Sequence, residues 1–214
     1  MSGEPGVFIT LEGPDGAGKS TQARRVAELL RDTRREVVLT REPGGSPGAE
    51  AIRALLVEGE PGRWSAMTEL LLFNAARRDH LERTIAPALA RGAVVICDRF
   101  VDSTRAYQSA RRGDAPGVPR ETVDALHRLV IGREPDLTLI LDLDPARAQR
   151  RGAARGGTED RFERFGNDFQ EALRAAFARI ALAEPQRCAL VDASGSPETV
   201  TARLLATIVA RLGI

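Results

Sequence analysis

Five apolar runs punctuate the chain: Val7-Phe8-Ile9-Thr10-Leu11, Val37-Val38-Leu39-Thr40, Ala93-Val94-Val95-Ile96-Cys97, Leu137–Leu143 and Cys188–Val191. Their length and their lack of strict polar alternation predict strands buried on both faces. Between them the apolar spacing changes to that of helices. Ala23, Val26, Ala27 and Leu30 recur at helical intervals, and Val200, Leu204, Ile208 and Leu212 make one stripe in a last helix over Pro197–Leu212. Further helices are predicted at about Ala49–Val57, Ser65–Arg91 with Pro87 as a candidate break, Val101–Ser109, Pro119–Ile131, Pro145–Arg151 and Asn167–Ala183. Arg111–Val118, rich in Gly and Pro, reads as a loop, and Gly152–Asp160 breaks the helix begun at Pro145. Strands alternating with helices give an α/β fold, a parallel sheet with helices on both faces. Ligands in such sheets bind beyond the carboxyl ends of the strands. Glu12 to Lys19, Arg41-Glu42, Asp98-Arg99 and Asp192 all follow strand ends, so they are expected on one face. No repeat or linker divides the 214 residues, which read as one domain, 1–214.

The glycine-rich stretch after the first strand carries chemistry. Gly13-Pro14-Asp15-Gly16-Ala17-Gly18-Lys19-Ser20 fits G-x-x-x-x-G-K-[ST] at every fixed position, between a predicted strand and a predicted helix. In that context backbone N–H groups wrap a phosphate chain and the helix N-terminus adds partial positive charge. Lys19 can reach the β- and γ-phosphates, and the Ser20 hydroxyl can bind Mg²⁺. Gly13–Ser20, with Thr21 after it, is the candidate ATP site.

Composition narrows the partners. Hydrophobic residues make up 43% and charged residues 29%, ordinary for a soluble globular protein. A net charge of +1 removes any global electrostatic case for nucleic acid. The basic residues are mostly Arg, which favours local anion sites. No apolar run is long enough to span a membrane and no signal-peptide pattern opens the chain, so a cytoplasmic protein without a membrane partner is expected. Cys97 and Cys188 read as reduced core thiols. His80 and His127 are too few and too far apart to suggest a metal site, and His127 sits among Val123, Leu126 and Val130 as a packing residue.

Other residues point to a second phosphate and a base. Arg41 and Arg99 each stand at a strand end, where two guanidinium groups would hold a phosphate bidentately, or where either alone would make a surface ion pair. Asp98 suits a carboxylate assisting Mg²⁺, or else a helix N-cap. Phe73 and Arg77 are four apart and share a helix face, an aromatic beside a donor that suits a stacked base, though Phe73 alone reads more often as a core residue. Tyr107 and Gln108 can supply sugar and base contacts. Arg147, Arg150, Arg151, Arg155, Arg161 and Arg164 crowd around Gly152, Gly156 and Gly157. Such a run is a solvated loop or a mobile lid, about residues 150–161, bringing an Arg to a transferring phosphoryl group.

Taken together, these segments resemble the thymidylate kinase family, bacterial type. The resemblance runs through Leu11-Glu12-Gly13, Thr40–Gly45, Phe73 and Arg77, Asp98-Arg99-Phe100, Ser103-Thr104, Ala106-Tyr107-Gln108, Pro135–Leu139 and Asp160–Glu163. It implies a P-loop NTPase-type three-layer αβα fold with a five-stranded parallel sheet, a homodimer, Mg²⁺, and transfer of phosphate from ATP to dTMP. It further implies that Asp15 accepts the 3′-hydroxyl of dTMP, that Arg41 and Arg99 hold its phosphate, and that Phe73 stacks on thymine while Arg77 bonds its edge. Ser103, Thr104 and Gln108 would complete the base pocket, and Tyr107 would crowd the 2′ position. Lys19, Ser20 and Mg²⁺ would hold the ATP phosphates. Some relatives carry an Arg directly after the P-loop acid. Here that residue is Gly16, so the chain resembles the type whose catalytic Arg comes from the lid, with Arg155 the first candidate and Arg151 the second. Ser109-Ala110-Arg111-Arg112 departs from the Gly-rich segment of many bacterial members. Two alternatives stay open: another nucleotide or nucleoside kinase of this fold, and a P-loop switch. The chain lacks the Asn-Lys-x-Asp guanine signature that many switches carry.

Overall fold

Strand β1 (Val7–Glu12) lies at the centre of the sheet because it has no polar face to give to water. Five of its six residues are buried. In the computed structural model, which describes residues 4–31, 35–60, 62–110, 116–153 and 167–214, the sheet is five-stranded and parallel. Its order is β2-β3-β1-β4-β5, with β2 at Val37–Arg41, β3 at Val94–Asp98, β4 at Leu137–Asp142 and β5 at Cys188–Asp192. Side chains alternate across it. Ile9, Leu11, Val94, Ile96 and Leu139 face α1 (Lys19–Arg31) and α9 (Pro197–Leu212), packing with Val26, Ala27, Leu204 and Ile208. Phe8, Val95 and Cys97 face the other way, with Ile85, Ala88 and Phe100, while Ile140 meets Leu173 and Phe177 of α8 (Asn167–Ala183). Each fully buried Leu, Ile or Phe contributes about 1.5–3 kcal/mol. Cys97 and Cys188 are free and buried.

The remaining helices are α2 (Pro47–Val57), α3 (Ala66–His80), α4 (Ala86–Ala90), α5 (Val101–Tyr107), α6 (Arg120–Val130) and α7 (Pro145–Ala153). Most boundaries fall within two residues of those expected, but one expectation fails. Pro87 does not break the long helical stretch. A π-turn at Leu81–Ile85 joins α3 to α4, with the Ala86 N–H donating to the Leu81 carbonyl. That change of register absorbs the missing N–H of Pro87 and the pressure of its ring on the preceding turn. Helix α7 is described to Ala153, two residues beyond the expected end at Arg151, and residues 154–160 of the segment expected to break it lie outside the described residues. Among the described residues no helix is long and apolar enough to cross a membrane.

The connections after β1 and β3 run to opposite sides of the sheet, so a crevice opens between their carboxyl ends. Two chain segments meet there: Gly13–Lys19 after β1 and Arg99 to α5 after β3. Beneath the crevice lies a buried ionic cluster. Asp102 of α5 accepts Arg105 Nη1 at 2.9 Å and Arg187 Nη1 at 2.7 Å, and Arg105 also reaches Asp124 at 2.8 Å and Glu134 at 2.6 Å. His127 is buried, with its ring edge-on to Phe100 and Nε2 at 3.2 Å from Glu134 Oε1.

Candidate active site

The loop after β1 folds tightly enough that one position admits only glycine. Gly16 has φ +80°, and a Cβ there would lie 2.0 Å from the Ala148 carbonyl oxygen of α7. Helix α7 therefore roofs the loop. Since α1 begins at Lys19, its unpaired N–H groups face the loop, the geometry that binds phosphate. Lys19 is buried, and its Nζ donates to the Pro14 carbonyl at 2.8 Å. Burial first, then the charge of Arg99, pulls the ammonium down to about 8 against the opposing pull of Asp15 and Asp98.

Arg99, immediately after β3, has φ +73° and is the one non-glycine residue with a left-handed backbone among the described residues. That conformation costs about 1–2 kcal/mol, so the surroundings must hold it. Its N–H donates to the Leu11 carbonyl at 3.0 Å. Nη1 donates to Ser103 Oγ at 2.7 Å and to the Gly13 carbonyl at 3.2 Å. Nη2 pairs with Asp15 Oδ1 and reaches the Tyr107 hydroxyl at 3.2 Å. Tyr107 donates to Asp15 Oδ2 at 2.8 Å. Both Asp15 oxygens thus have a partner, each keeping lone pairs for a substrate hydroxyl. Burial raises the Asp15 carboxyl, but Arg99 and Lys19 outweigh it and hold it below the usual range. Burial and then Asp15 keep the Tyr107 phenol protonated as a donor.

Arg77 of α3 is 2% exposed. Its Nε donates to Glu42 Oε2 at 2.7 Å and Nη2 to Thr104 Oγ1 at 2.9 Å. Glu42 Oε1 meets His80 Nδ1 at 3.0 Å, and His80 Nε2 meets Thr40 Oγ1 at 2.7 Å. Arg77 Nη1 has no partner among the described residues, and neither does Gln108 Oε1, whose amide nitrogen donates to Glu69 at 3.3 Å. A buried donor and a buried acceptor are thus left over beside one cavity.

That cavity, about 320 Å³, is lined by Asp15, Gly16, Gly18, Lys19, Ser20, Arg41, Phe73, Arg77, Asp98, Arg99, Ser103, Thr104, Tyr107 and Gln108 among others. Sequence reasoning had pointed to all fourteen. Gly13 and Pro14 stand behind it, giving carbonyls to Arg99 and Lys19. Ala17 and Thr21 instead line a second hollow of about 260 Å³, which shares Gly16 and Gly18 with the first and is completed by Gly195, Pro197 and Val200 among others. Arg41 is half exposed and paired with Glu50 at 3.3 Å. Arg151 ends in the last turn of α7 with its side chain outside the described residues, and Arg155 lies outside them altogether. Asp192 ends β5 on the shared face but bonds Ser194 and Arg203 and does not line the cavity. Sequence reasoning missed Arg53, which also lines the cavity, and placed Glu12 and Glu42 on the shared face without a role, as it gave none to His80; all three are buried. Glu12 and Glu42 gave one signal, a carboxylate at the end of an apolar run.

Asp98 Oδ1 is buried without a partner among the described residues, and Asp98 and the exposed Ser20 line the same cavity. An orphaned carboxylate oxygen and a hydroxyl are hard donors of the kind a divalent cation such as Mg²⁺ takes.

A parallel sheet, a phosphate-binding loop before α1 and a second guanidinium-lined site at the switch point define a P-loop phosphotransferase acting on two nucleotides. The thymidylate kinase family model matches residues 11–204. Thymidylate kinase of Dinoroseobacter shibae is 62% identical, covering 95% of this chain and 96% of that one, and thymidylate kinase of Ruegeria pomeroyi is 56% identical over 99% and 98%. A crystal structure of thymidylate kinase from Ehrlichia chaffeensis superposes with a TM-score of 0.77 at 34% identity, covering 95% of this chain and 99% of its own. The chain belongs to the thymidylate kinase family, enzymes that phosphorylate dTMP in nucleotide biosynthesis, and as a kinase it uses ATP with a divalent metal.

Proposed function

We propose that dTMP lies in the 320 Å³ cavity with its base against Arg77 and Gln108 and its phosphate toward Arg99 and the ATP loop. The leftover pair carries this reading. Arg77 Nη1 offers a donor for thymine O4, and Gln108 Oε1 an acceptor for thymine N3–H. Cytosine presents an amino group and a bare N3 at those positions, which reverses both contacts and leaves buried polar atoms unpaired, at about 1–3 kcal/mol each. Phe73 stacks on the ring, with Ser103 and Thr104 beside it, Asp15 accepts the 3′-hydroxyl and Tyr107 excludes a 2′-hydroxyl.

Gly13–Thr21 hold ATP, whose base end fits the second hollow between the loop and Gly195–Val200. Arg41 and Arg99 hold the acceptor phosphate, whose second ionisation at about 6 leaves it largely dianionic at neutral pH. An acceptor oxygen then attacks the γ-phosphorus and ADP leaves, with no side chain needed to remove a proton. Lys19 neutralises charge on the transferring group. Ser20 and Asp98 hold Mg²⁺, which when bound supplies charge neutralisation across the phosphate oxygens. Arg155, or failing it Arg151, adds a cation from a lid at about 150–161. The whole chain, 1–214, works as one kinase domain. It acts in the cytoplasm as a homodimer, for which Met67 and Leu71, one turn apart on α3 and 44% and 53% exposed, offer an apolar face. A sedimentation mass of a single chain would remove the dimer.

Coupled ADP release across the nucleoside monophosphates tests the acceptor. Turnover is expected in the order dTMP, then dUMP, with the cytosine and purine nucleotides far behind. Equal or better turnover of CMP, AMP or GMP overturns the assignment.

A further inference from the structure

Glu12 is fully buried at the end of β1, immediately before the ATP loop. Its Oε1 accepts the Phe100 N–H at 2.7 Å and its Oε2 accepts the Ser103 hydroxyl at 2.5 Å. Ser103 Oγ in turn accepts Arg99 Nη1 at 2.7 Å. The carboxylate thereby holds Arg99 at two points: the peptide that follows its left-handed backbone, and, through Ser103, the guanidinium itself. We propose that Glu12 is a positioning residue that locks Arg99 in its left-handed corner and so ties the acceptor-phosphate site to the ATP loop. This rests on the reading that Arg99 binds the acceptor phosphate.

The burial of this charge supports the assignment. Asp102 of α5 faces Glu12 as a like charge, Arg99 is the cation beside it, and Lys19 and Cys97 feel its field from α1 and β3. Desolvation first, and then Asp102, push the Glu12 carboxyl up to about 7. An ionisable group kept where ionisation is disfavoured has a use beyond packing. A glutamine would keep the shape and the Phe100 contact. It would present an amide donor to Ser103 where the carboxylate accepts, and it would remove the negative charge beside Arg99.

The test is a double-mutant cycle on the full chain with E12Q, R99K and the double variant, read as kcat/KM for dTMP and KM for ATP. E12Q is expected to lower kcat/KM for dTMP on the order of 10²-fold, the cost of misplacing a group near the chemistry by about 1 Å. KM for ATP is expected to stay near wild type. The double variant is expected to be no worse than R99K, because both changes remove one function. Full activity of E12Q, independent multiplication of the two losses, or an E12Q defect expressed in KM for ATP each overturns the proposal while leaving the role of Arg99 standing. Full activity of R99K removes the reading of Arg99 and the proposal with it. If E12Q does not fold, the same cycle is read with E12D, which keeps the charge but is too short to span Phe100 and Ser103 together.

Discussion

Arg99 and Glu12 illustrate how single residues trade stability for geometry here. Arg99 carries the backbone strain, and Glu12 carries a buried carboxyl whose folded pKa of about 7 stands above its unfolded value of 4.5. Between those values the folded state holds a proton that the unfolded chain has released. Stability therefore falls as pH rises through that window, by about 3 kcal/mol over 2.5 units (7 − 4.5). Asp15 and Asp102 act with the opposite sign, since their folded values are depressed. Their contribution is present above the unfolded carboxylate value and is lost as pH falls through the folded one. E12Q is therefore expected to gain in melting temperature relative to wild type between pH 5 and pH 8. A difference that does not change with pH would mean that Glu12 is ionised like any other carboxylate. Gly13–Ser20, Asp98, Arg99 and Gln108 were legible in the sequence because recurring motifs and strand-end positions mark them. Glu12, Glu42 and His80 act through the groups they hold, Phe100 N–H, Ser103 and Arg77 among them, and an isolated His or a strand-end carboxylate leaves no pattern that spacing can reveal.

Helix α5 shows the same division among elements. Its existence and its start after β3 follow from the sequence, but what fixes it does not. Asp102, fully buried on α5, is held by Arg187, which lies 85 residues further along and just before β5. Arg187 also donates to Glu184 at 2.6 Å, so one guanidinium joins α5 to the end of α8. Pairs so distant in sequence carry no periodicity, whereas the apolar stripe of α9 spans four turns of its own chain. Arg187→Ala is expected to cost about 3 kcal/mol, the low end for breaking a buried pair, because Arg105 still faces Asp102. Urea unfolding would measure it, and a loss below about 1 kcal/mol would show the cluster to be dispensable. The expectation that failed, at Pro87, failed for a related reason: proline weakens a helix locally, and a register change at Leu81–Ile85 lets the helix continue.

At the scale of the molecule, the parallel sheet delivers its strand ends to one crevice, and α7 closes over the ATP loop. That packing bears on where the last cation comes from. An Arg at position 16 would need a Cβ 2.0 Å from the Ala148 carbonyl and a left-handed backbone, so the loop as packed against α7 cannot supply it. Negative charge spreads over the oxygens of the transferring phosphoryl group in the transition state, and a cation placed there acts on rate more than on binding. Lys19 is the P-loop's own cation, and α7 leads directly into the segment that holds Arg155, with Gly156 and Gly157 next in sequence. Arg155→Ala is expected to lower kcat by about 10³-fold, the scale of losing an arginine finger, with much smaller changes in KM for dTMP and ATP. Arg151, four residues earlier in the sequence, is expected to matter less. Steady-state kinetics of R155A, R151A and the double variant decide between them. Near wild-type turnover of R155A beside a crippled R151A would move the role to Arg151. Near wild-type turnover of all three would mean that Lys19, Arg41, Arg99 and the metal suffice.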